Sequence, residues 1–292
     1  MTENKHNINN LKNIDGSFAS YKQLIELFRA NNDVMFSTIF ISLQQWFAAN
    51  MSAALGAILD KLQDNFNTIE FKNVQKKIET ILQKNNFLSF FNYPSIDDSY
   101  RTTIPYLKLK PSDGKFFNNY VFNKLLRRDE LPKMSDGARN KIAESIYEIF
   151  VNAKIHSETE YIYTCGQFYP GKDKIEFTIV DVGIGFKNRV NHRFNANLNA
   201  VQAIKWAIKD KNTTKIGISG GIGLAFLKEF IEMNKGKMQI ISNEGFYQFS
   251  EQGEEIKLFD NEFPGTIVNL QFRTNDKNSY ILKKEVDVKD IF

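Results

Sequence analysis

The sequence predicts a chain of two α/β domains, and three observations carry this prediction. The chain has 292 residues, near the length at which one hydrophobic core gives way to two. Between residues 17 and 98, β-branched and aromatic runs alternate with segments of helical periodicity. Between residues 135 and 275, a helix, a hairpin, a helix, a glycine-rich turn, a further helix and several strands follow one another. This order predicts an α/β sandwich whose mixed, mostly antiparallel sheet is covered by helices.

The composition narrows the classes of protein that remain. Apolar residues form 42% of the chain and charged residues 25%, which is enough for packed cores. The formal charge of +4 is spread along the chain without a basic block, so no nucleic-acid surface is predicted. Cys165 is the single cysteine, which excludes an intrachain disulfide and favours a reducing compartment. The polar start and the lack of a long apolar run predict neither a signal peptide nor a membrane span, and therefore a cytoplasmic protein.

The elements of the first domain, 17–98, follow from the spacing of its apolar residues. Residues 1–16 are expected to form a flexible N-terminus, and Ser17 to cap the first helix. The pattern then predicts a helix at 18–32, a strand at 34–43, a helix at 51–63, a strand at 67–73 and a helix at 74–86. Residues 99–134 hold three prolines and two charged clusters, which is typical of a connector, with a short helix at 121–128.

The second domain, 135–275, opens with its longest predicted helix. The pattern predicts helices at 135–156, 200–209 and 220–234, and strands at 161–169, 174–182, 237–242, 245–250 and 266–272. Pro170 and Gly171 form the turn of a hairpin between the first two of these strands. The tail at 276–292 is charged.

A line of polar residues runs along the helix predicted at 135–156. Residues four apart share one face of a helix, and here they are Glu144, Glu148, Asn152 and His156. The neighbouring face is apolar and consists of Ile142, Ile146, Ile149 and Ala153. The polar line therefore borders the core. A solvated surface face is the alternative interpretation.

A second motif follows the strand predicted at 174–182, where Asp181 precedes Gly183 and Gly185. Glycines at this spacing let the backbone approach a flat ligand or adopt conformations closed to other residues. An ionised aspartate only accepts hydrogen bonds, so it can hold the exocyclic amine of adenine and repel the carbonyl of guanine. A plain turn after a strand is the alternative.

The third motif opens the helix predicted at 220–234 and contains Gly217, Gly220, Gly221 and Gly223. Free amides at a helix start suit an anionic phosphate chain, and Lys215 upstream could add a cation. The spacing is not that of a P-loop, and a flexible hinge is the alternative. Further on, Gly265 and Thr266 open a strand that could bring a hydroxyl to the far side of a purine.

Taken in this order, the motifs resemble the GHKL superfamily of ATP-binding domains, which includes gyrase, MutL and histidine kinases. The resemblance covers residues 135 to 275, about half of the chain. It implies that Asn152 coordinates Mg²⁺, that Asp181 reads adenine directly and through water with Thr266, and that Glu148 is the general base. It also implies that Gly183 and Gly185 line the purine pocket, that Gly217, Gly221 and Gly223 bind phosphates, and that 186–222 form a mobile lid.

The positions of the three histidines indicate which branch of this superfamily the chain resembles. Only His6, His156 and His192 occur, and none lies in a long helix upstream of the nucleotide domain, where a sensor histidine kinase carries its phosphoacceptor. The sequence EIFVNAKIHS looks more like the anti-sigma-factor serine kinases, in which the glutamate is retained. His156 could orient Mg²⁺ or a phosphate, or could be a surface residue near the helix end.

The segment FAANMSAALGAILDKL is similar to the strand-to-helix corner of STAS domains, the anti-sigma-factor antagonists. Leu55 and Gly56 match that pattern. The aspartate, the phosphorylated hydroxyl and the glycine of the pattern are replaced by Met51, Ala53 and Ala54. Phosphorylation of this domain is therefore in question, because its usual hydroxyl is missing. The neighbouring Ser52 could serve simply as a helix cap. The first domain would then be a STAS-like docking surface.

These resemblances imply a Mg-ATP-binding signalling switch coupled to a STAS-like regulatory domain. It would hydrolyse ATP or phosphorylate a serine or threonine of a protein partner. The alternatives are a non-catalytic, nucleotide-gated interaction module and an ordinary α/β scaffold. A homodimer is left open.

Overall fold

The computed structural model describes residues 8–156, 159–209, 212 and 223–285. The fold is mixed α/β. The strands are β1 (Ile8–Ile14), β2 (Thr38–Phe47), β3 (Thr68–Phe71), β4 (Thr103–Leu109), β5 (Lys133–Met134), β6 (Ile162–Tyr169), β7 (Lys174–Asp181), β8 (Lys237–Ser250), β9 (Gly253–Arg273) and β10 (Ser279–Tyr280). The helices are α1 (Phe18–Asn31), α2 (Ser52–Gln63), α3 (Lys76–Lys84), α4 (Gly114–Tyr120), α5 (Asp136–His156), α6 (Gly185–Phe194), α7 (Ala200–Ala207) and α8 (Gly223–Met233).

The N-terminal unit is built on a parallel sheet of three strands in the order β1-β2-β3. Ser17 caps α1 as predicted, because its side chain accepts a hydrogen bond from the Ser20 amide. The prediction of a flexible segment was wrong for residues 8–14, which pair with β2. Leu11 and Ile14, three apart, are both buried because the register shifts between Lys12 and Ile14. That irregularity removes the alternation by which a strand is recognised.

The second sheet has five strands in the order β4-β6-β7-β9-β8, and every neighbouring pair is antiparallel. The antiparallel hairpin of β6 and β7 agrees with the prediction. Its edge strand β4 lies within residues expected to connect two domains. Pro105 interrupts that strand's pattern, and it is tolerated because β4 is at the edge and its register shifts between Ile104 and Leu107.

Two further helical segments differ from the prediction. The helix expected at 121–128 begins earlier, as α4, and continues as a π-helical segment, Val121–Leu126. Helix α6 lies mostly within 186–222, the stretch expected to form a mobile lid, and it buries only Gly185 and Val190. Its apolar residues Phe186, Val190 and Phe194 recur every four positions, but the segment is otherwise polar and was not predicted as a helix.

The antiparallel sheet is buried on both faces. On one face, the apolar side of α5, including Ile142 and Ile146, packs with α8 over residues such as Phe177. On the other face, α2 of the N-terminal unit packs on β6 and β7, and Leu55 belongs to the same core as Val180. The antiparallel sheet therefore contributes side chains to two hydrophobic cores, one on each face.

The C-terminal segment returns to the start of α5. Strand β10 pairs in parallel with β5. The Glu285 carboxylate accepts hydrogen bonds from the Ser135 hydroxyl at 2.6 Å and from the Gly137 amide at 3.1 Å. A carboxylate here stabilises the N-terminus of the helix. Among the described residues, no helix has the length and apolar character needed to cross a membrane.

Helix α2 approaches β4 so closely that Gly56 leaves no room for a side chain. A Cβ atom at this position would lie 2.3 Å from the hydroxyl of Tyr106, which is buried. We expect Gly56→Ala to lower the free energy of unfolding by about 2 kcal/mol, because overpacking exceeds the gain in helix propensity. Urea denaturation measures this change.

Gly171→Ala is the matched control, because a Cβ atom at Gly171 would have no neighbour within 4 Å. Adding Tyr106→Phe to Gly56→Ala should recover part of the loss, since it removes the hydroxyl that is struck first. Wild-type stability for Gly56→Ala would contradict this view of the α2 contact.

Candidate functional site

Helix α5 carries the predicted polar line along the border of the core. Its apolar face is buried as expected, at Ile142, Ile146, Ile149 and Ala153. Glu144 is exposed and pairs with Lys141 at 3.4 Å, whereas Glu148 and Asn152 are half-buried. The side chain of His156 lies outside the described residues, so its role stays a prediction.

Pairing of β7 with β9 sets Asp181 opposite Thr266. The neighbouring Gly265 has a φ of +144°, and a Cβ atom there would lie 2.0 Å from the Asp181 carbonyl oxygen. Only glycine permits this approach of the two backbones. Gly265 and Thr266 therefore let β9 pack closely against Asp181, the last residue of β7.

Side chains of β8 hold the start of α6. The Ser242 hydroxyl accepts a hydrogen bond from the Phe186 amide at 2.8 Å and lies 3.0 Å from the Thr266 hydroxyl. Asn243 accepts from the Lys187 amide at 3.2 Å. Gly185 has a φ of +73°, and a Cβ atom there would lie 2.3 Å from the Asn243 side-chain oxygen. These contacts fix the first turn of α6 beside the ends of β7 and β9.

A small cavity lies where these elements meet. It is lined by Ile149, Asn152, Ala153, Asp181, Ile184, Gly185, Phe186, Arg189, Leu224, Thr266 and Val268. The fold thus brings together four of the predicted site residues, Asn152, Asp181, Gly185 and Thr266. Gly183 is outside this lining but its amide bonds to Asp181. The cavity volume is about 20 Å³, which holds one water molecule.

The carboxyl group of Asp181 is the polar group that stands out in this cavity. Its Oδ1 atom is buried and has no hydrogen-bond partner among the described residues. Burial raises the pKa of this carboxyl to about 7, and the Gly183 amide opposes part of that rise. Burial of Arg189, which lines the same cavity, lowers the pKa of its guanidinium to about 9. At neutral pH Arg189 is therefore still a cation, and Asp181 is close to half ionised.

Glu148 reaches the start of α8. Its Oε2 atom accepts a hydrogen bond from the Gly223 amide at 2.8 Å. A Cβ atom on Gly223 would lie 2.7 Å from that oxygen and 3.0 Å from the Ser145 carbonyl, so α5 and α8 approach closely here. A negative charge at a helix N-terminus is stabilised by the helix dipole. The glutamate predicted to be the general base is thus hydrogen-bonded to one of the amides expected to bind phosphate.

Part of the predicted phosphate site cannot be compared with the fold. Lys215, Gly217 and Gly221 lie outside the described residues. Within the stretch expected to form a lid, α7 begins with a capping box of Asn199 and Gln202. It agrees with the helix predicted at 200–209 and packs on β8.

Two other candidate residues, Ser52 and Cys165, are buried in the protein interior. Ser52 is buried, and its hydroxyl accepts a hydrogen bond from Asn85 at 3.0 Å. Cys165 is buried as well, and burial raises the pKa of its thiol to about 12, which keeps it protonated. Within 8–156, 159–209, 212 and 223–285, no group of three or more His, Cys, Asp or Glu residues could hold a metal ion. Mg²⁺ often takes only one or two protein ligands.

Sequence reasoning missed Arg189, Phe186 and Ser242. The local sequence does not bring them together, because α6 is mostly polar and Ser242 reaches it from 56 residues away. Comparison of the chain with protein-family models gives no match, and comparison with curated proteins finds no similar sequence.

The burial of Asp181 predicts a dependence of stability on pH. The pKa of its carboxyl is about 7 in the folded protein, against an ordinary value of 3.8. The folded state therefore holds the proton more tightly, and the stability it adds at low pH is lost as the pH rises through about 7. From about pH 5 to about pH 8 we expect a loss of about 2 kcal/mol that Asp181→Asn removes.

Chemical denaturation of wild type and Asp181→Asn across this pH range measures the difference. Asp33→Asn, at an exposed aspartate, is the control and should keep the wild-type profile. Parallel pH profiles for wild type and Asp181→Asn would show that the buried carboxyl does not carry this dependence.

Proposed function

We propose that the protein binds Mg-ATP at the cavity between α5, α6, β7 and β9 and acts as a GHKL-type switch. The observation that carries the proposal is the Oδ1 atom of Asp181, which has no partner within the described part of the chain and is buried in a cavity bounded by Asn152 of α5 and Thr266 of β9. A buried acceptor without a partner costs free energy, which a ligand that donates a hydrogen bond would recover.

The polar groups fit the base of ATP. Asp181 would accept from the 6-amino group of adenine, while the Thr266 hydroxyl, already within 3.0 Å of Ser242, could bind an intervening water. The apolar walls, Ile149 and Val268, suit the faces of a flat ring. Space for one water is too small for adenine, so α6, which carries Phe186 into the cavity, has to shift when the base enters.

Groups for the phosphates lie on the neighbouring helices. The side-chain oxygen of Asn152 would hold Mg²⁺, which neutralises phosphate charge when bound and keeps most of its waters. The amide of Gly223 opens α8 and would face an anion. Gly217, Gly221 and Lys215 would complete the phosphate site. Because the Glu148 carboxylate now bonds to that amide, a phosphate would compete with it.

Glu148 would act as the general base. It lies one helical turn from Asn152, so a water or hydroxyl that attacks the terminal phosphate would be within reach of its carboxylate. The hydroxyl of Ser52 is buried beneath the opposite face of the sheet, so it is a poor acceptor. The acceptor would be water or a serine or threonine of a partner protein.

The N-terminal unit supports a regulatory arrangement. It would be the STAS-like regulatory part, because its helix α2 docks on the sheet whose strands carry Asp181 and Thr266. The partner of the switch would be recognised by surfaces other than the α2 face, which is buried.

A second candidate is a non-catalytic, nucleotide-gated interaction module. The bond between Glu148 and Gly223 favours it, because it gives the glutamate a structural role without any chemistry. Both candidates share the nucleotide site and differ in turnover.

Exchange of the carboxylate for an amide tests the base-binding claim. Asp181→Asn should weaken ATP about tenfold, since one charge-assisted hydrogen bond is lost. Binding of ITP, whose 6-oxo group can accept from the new amide, should not weaken. Calorimetric titration in excess Mg²⁺ measures both affinities. Equal ATP affinity for wild type and Asp181→Asn would end the adenine-reading proposal.

Exchange of Glu148 for glutamine tests catalysis. Glu148→Gln retains an oxygen that can accept from Gly223, so the fold and ATP affinity should persist. It has no useful basicity, so phosphate release or protein labelling from γ-labelled ATP should fall about a hundredfold or more. Glu144→Gln, one turn earlier and exposed, is the control. An unchanged rate in Glu148→Gln would remove the base assignment, and no turnover in wild type would favour the second candidate.

A further inference from the structure

Helix α6 contributes Arg189 to the lining of the cavity. Gly185, Phe186 and Arg189 all line it, and Arg189 lies four and three positions after the other two, on the same side of the helix. Arg193, one turn further, is exposed. The hydrogen bonds from the Phe186 and Lys187 amides to β8 set the rotation of the helix. Arg189 is thus directed inward by the way α6 is attached.

The cavity therefore offers one acceptor and one donor group from two different elements. Asp181 at the end of β7 presents an oxygen without a partner among the described residues. Arg189 on α6 carries five N–H donors and no acceptor. Both groups line the same small space, so a flat heterocycle entering there meets both.

We propose that Arg189 is a second base-reading residue, which donates to ring nitrogen N1 of adenine while Asp181 accepts from the adjacent 6-amino group. This inference rests on the proposed nucleotide function. It adds a second contact, to N1, so that the protein recognises the edge of adenine that carries N1 and the 6-amino group. Adenine presents a donor and an acceptor side by side on this edge, and the two protein groups match them one to one.

Guanine would match the same pair less well. Its edge carries a carbonyl that Arg189 could bind, followed by two donors, the N1 hydrogen and the 2-amino group. Among the residues that the structure describes, one oxygen of Asp181 has no partner, and the Gly183 amide already bonds to its carboxyl. One guanine donor would stay unpaired in a closed pocket, and that costs affinity. The preference is for a 6-aminopurine.

A simpler role for Arg189 is to fill the cavity until a ligand displaces it. The two roles give opposite results when the side chain is removed. A plug opposes binding, so its loss strengthens every nucleotide. A base-reading residue supports binding, so its loss weakens only bases that carry the acceptor at N1.

The experiment titrates the full chain with ATP, 1-deaza-ATP and 7-deaza-ATP in excess Mg²⁺. In wild type, 1-deaza-ATP should bind about tenfold more weakly than ATP, and 7-deaza-ATP should bind like ATP, because only the first lacks N1. Arg189→Met should weaken ATP about tenfold and no longer distinguish it from 1-deaza-ATP. Arg193→Met, on the exposed part of the same helix, should behave as wild type.

Equal affinity of wild type for ATP and 1-deaza-ATP would overturn the assignment without any variant. Stronger ATP binding by Arg189→Met would overturn the assignment and show that Arg189 only fills the cavity. Weaker binding of 1-deaza-ATP than of ATP by Arg189→Met would also overturn the assignment. Arg189→Lys retains a cation with donors, and partial recovery of N1 discrimination in it supports the assignment. A wild-type protein that binds none of the three nucleotides would overturn the proposed function itself, which is a different result from ATP binding without discrimination.

Discussion

The register between β7 and β9 is the constraint on which the candidate site depends. It sets Asp181 opposite Thr266, and the close approach of the backbones at Gly265 leaves little freedom for any other alignment. A shift of β9 by one residue would turn the Thr266 side chain to the other face of the sheet, away from Asp181. From Thr266 the polar contacts continue through Ser242 to the start of α6. The cavity is thus assembled around one strand pair.

The same sheet explains why the two halves of the chain are joined so closely. An antiparallel sheet commonly leaves one face to solvent, whereas here both faces are covered by apolar side chains. Polar groups between the layers are paired across them. Asn50 donates to Thr178 at 3.1 Å and to Asn269 at 3.2 Å, and it accepts from the Tyr169 hydroxyl at 3.0 Å. Such a buried network fixes the orientation of the N-terminal unit, because other placements would leave these groups without partners.

The sequence allowed the long and strongly periodic elements to be predicted, and the reasons for the failures are local. Helix α5 was recognisable because its apolar residues recur at helical spacing, and this also put Glu148 and Asn152 on one line. Strand β1 was missed because a register shift disrupts its alternation, and β4 because Pro105 lies inside it. Helix α6 is attached through Ser242 and Asn243, far away in the chain, so its position in the fold cannot be predicted from its local pattern. Arg189 was missed for the same reason, since a residue can be assigned to a pocket only after its helix is known.

Strand β9 extends well beyond the site. It runs over 21 residues, from Gly253 to Arg273, and remains hydrogen-bonded to β8 along most of this length. Near its outer end, Phe259 stacks on Phe18 of α1, with ring centroids 4.4 Å apart. One strand therefore touches the pocket at Thr266 and the first helix of the N-terminal unit at Phe259, and its register with β8 shifts twice between these two points. Such irregularities bend a strand and increase its twist, so the inner part of β9 can line the pocket while its outer part covers α1.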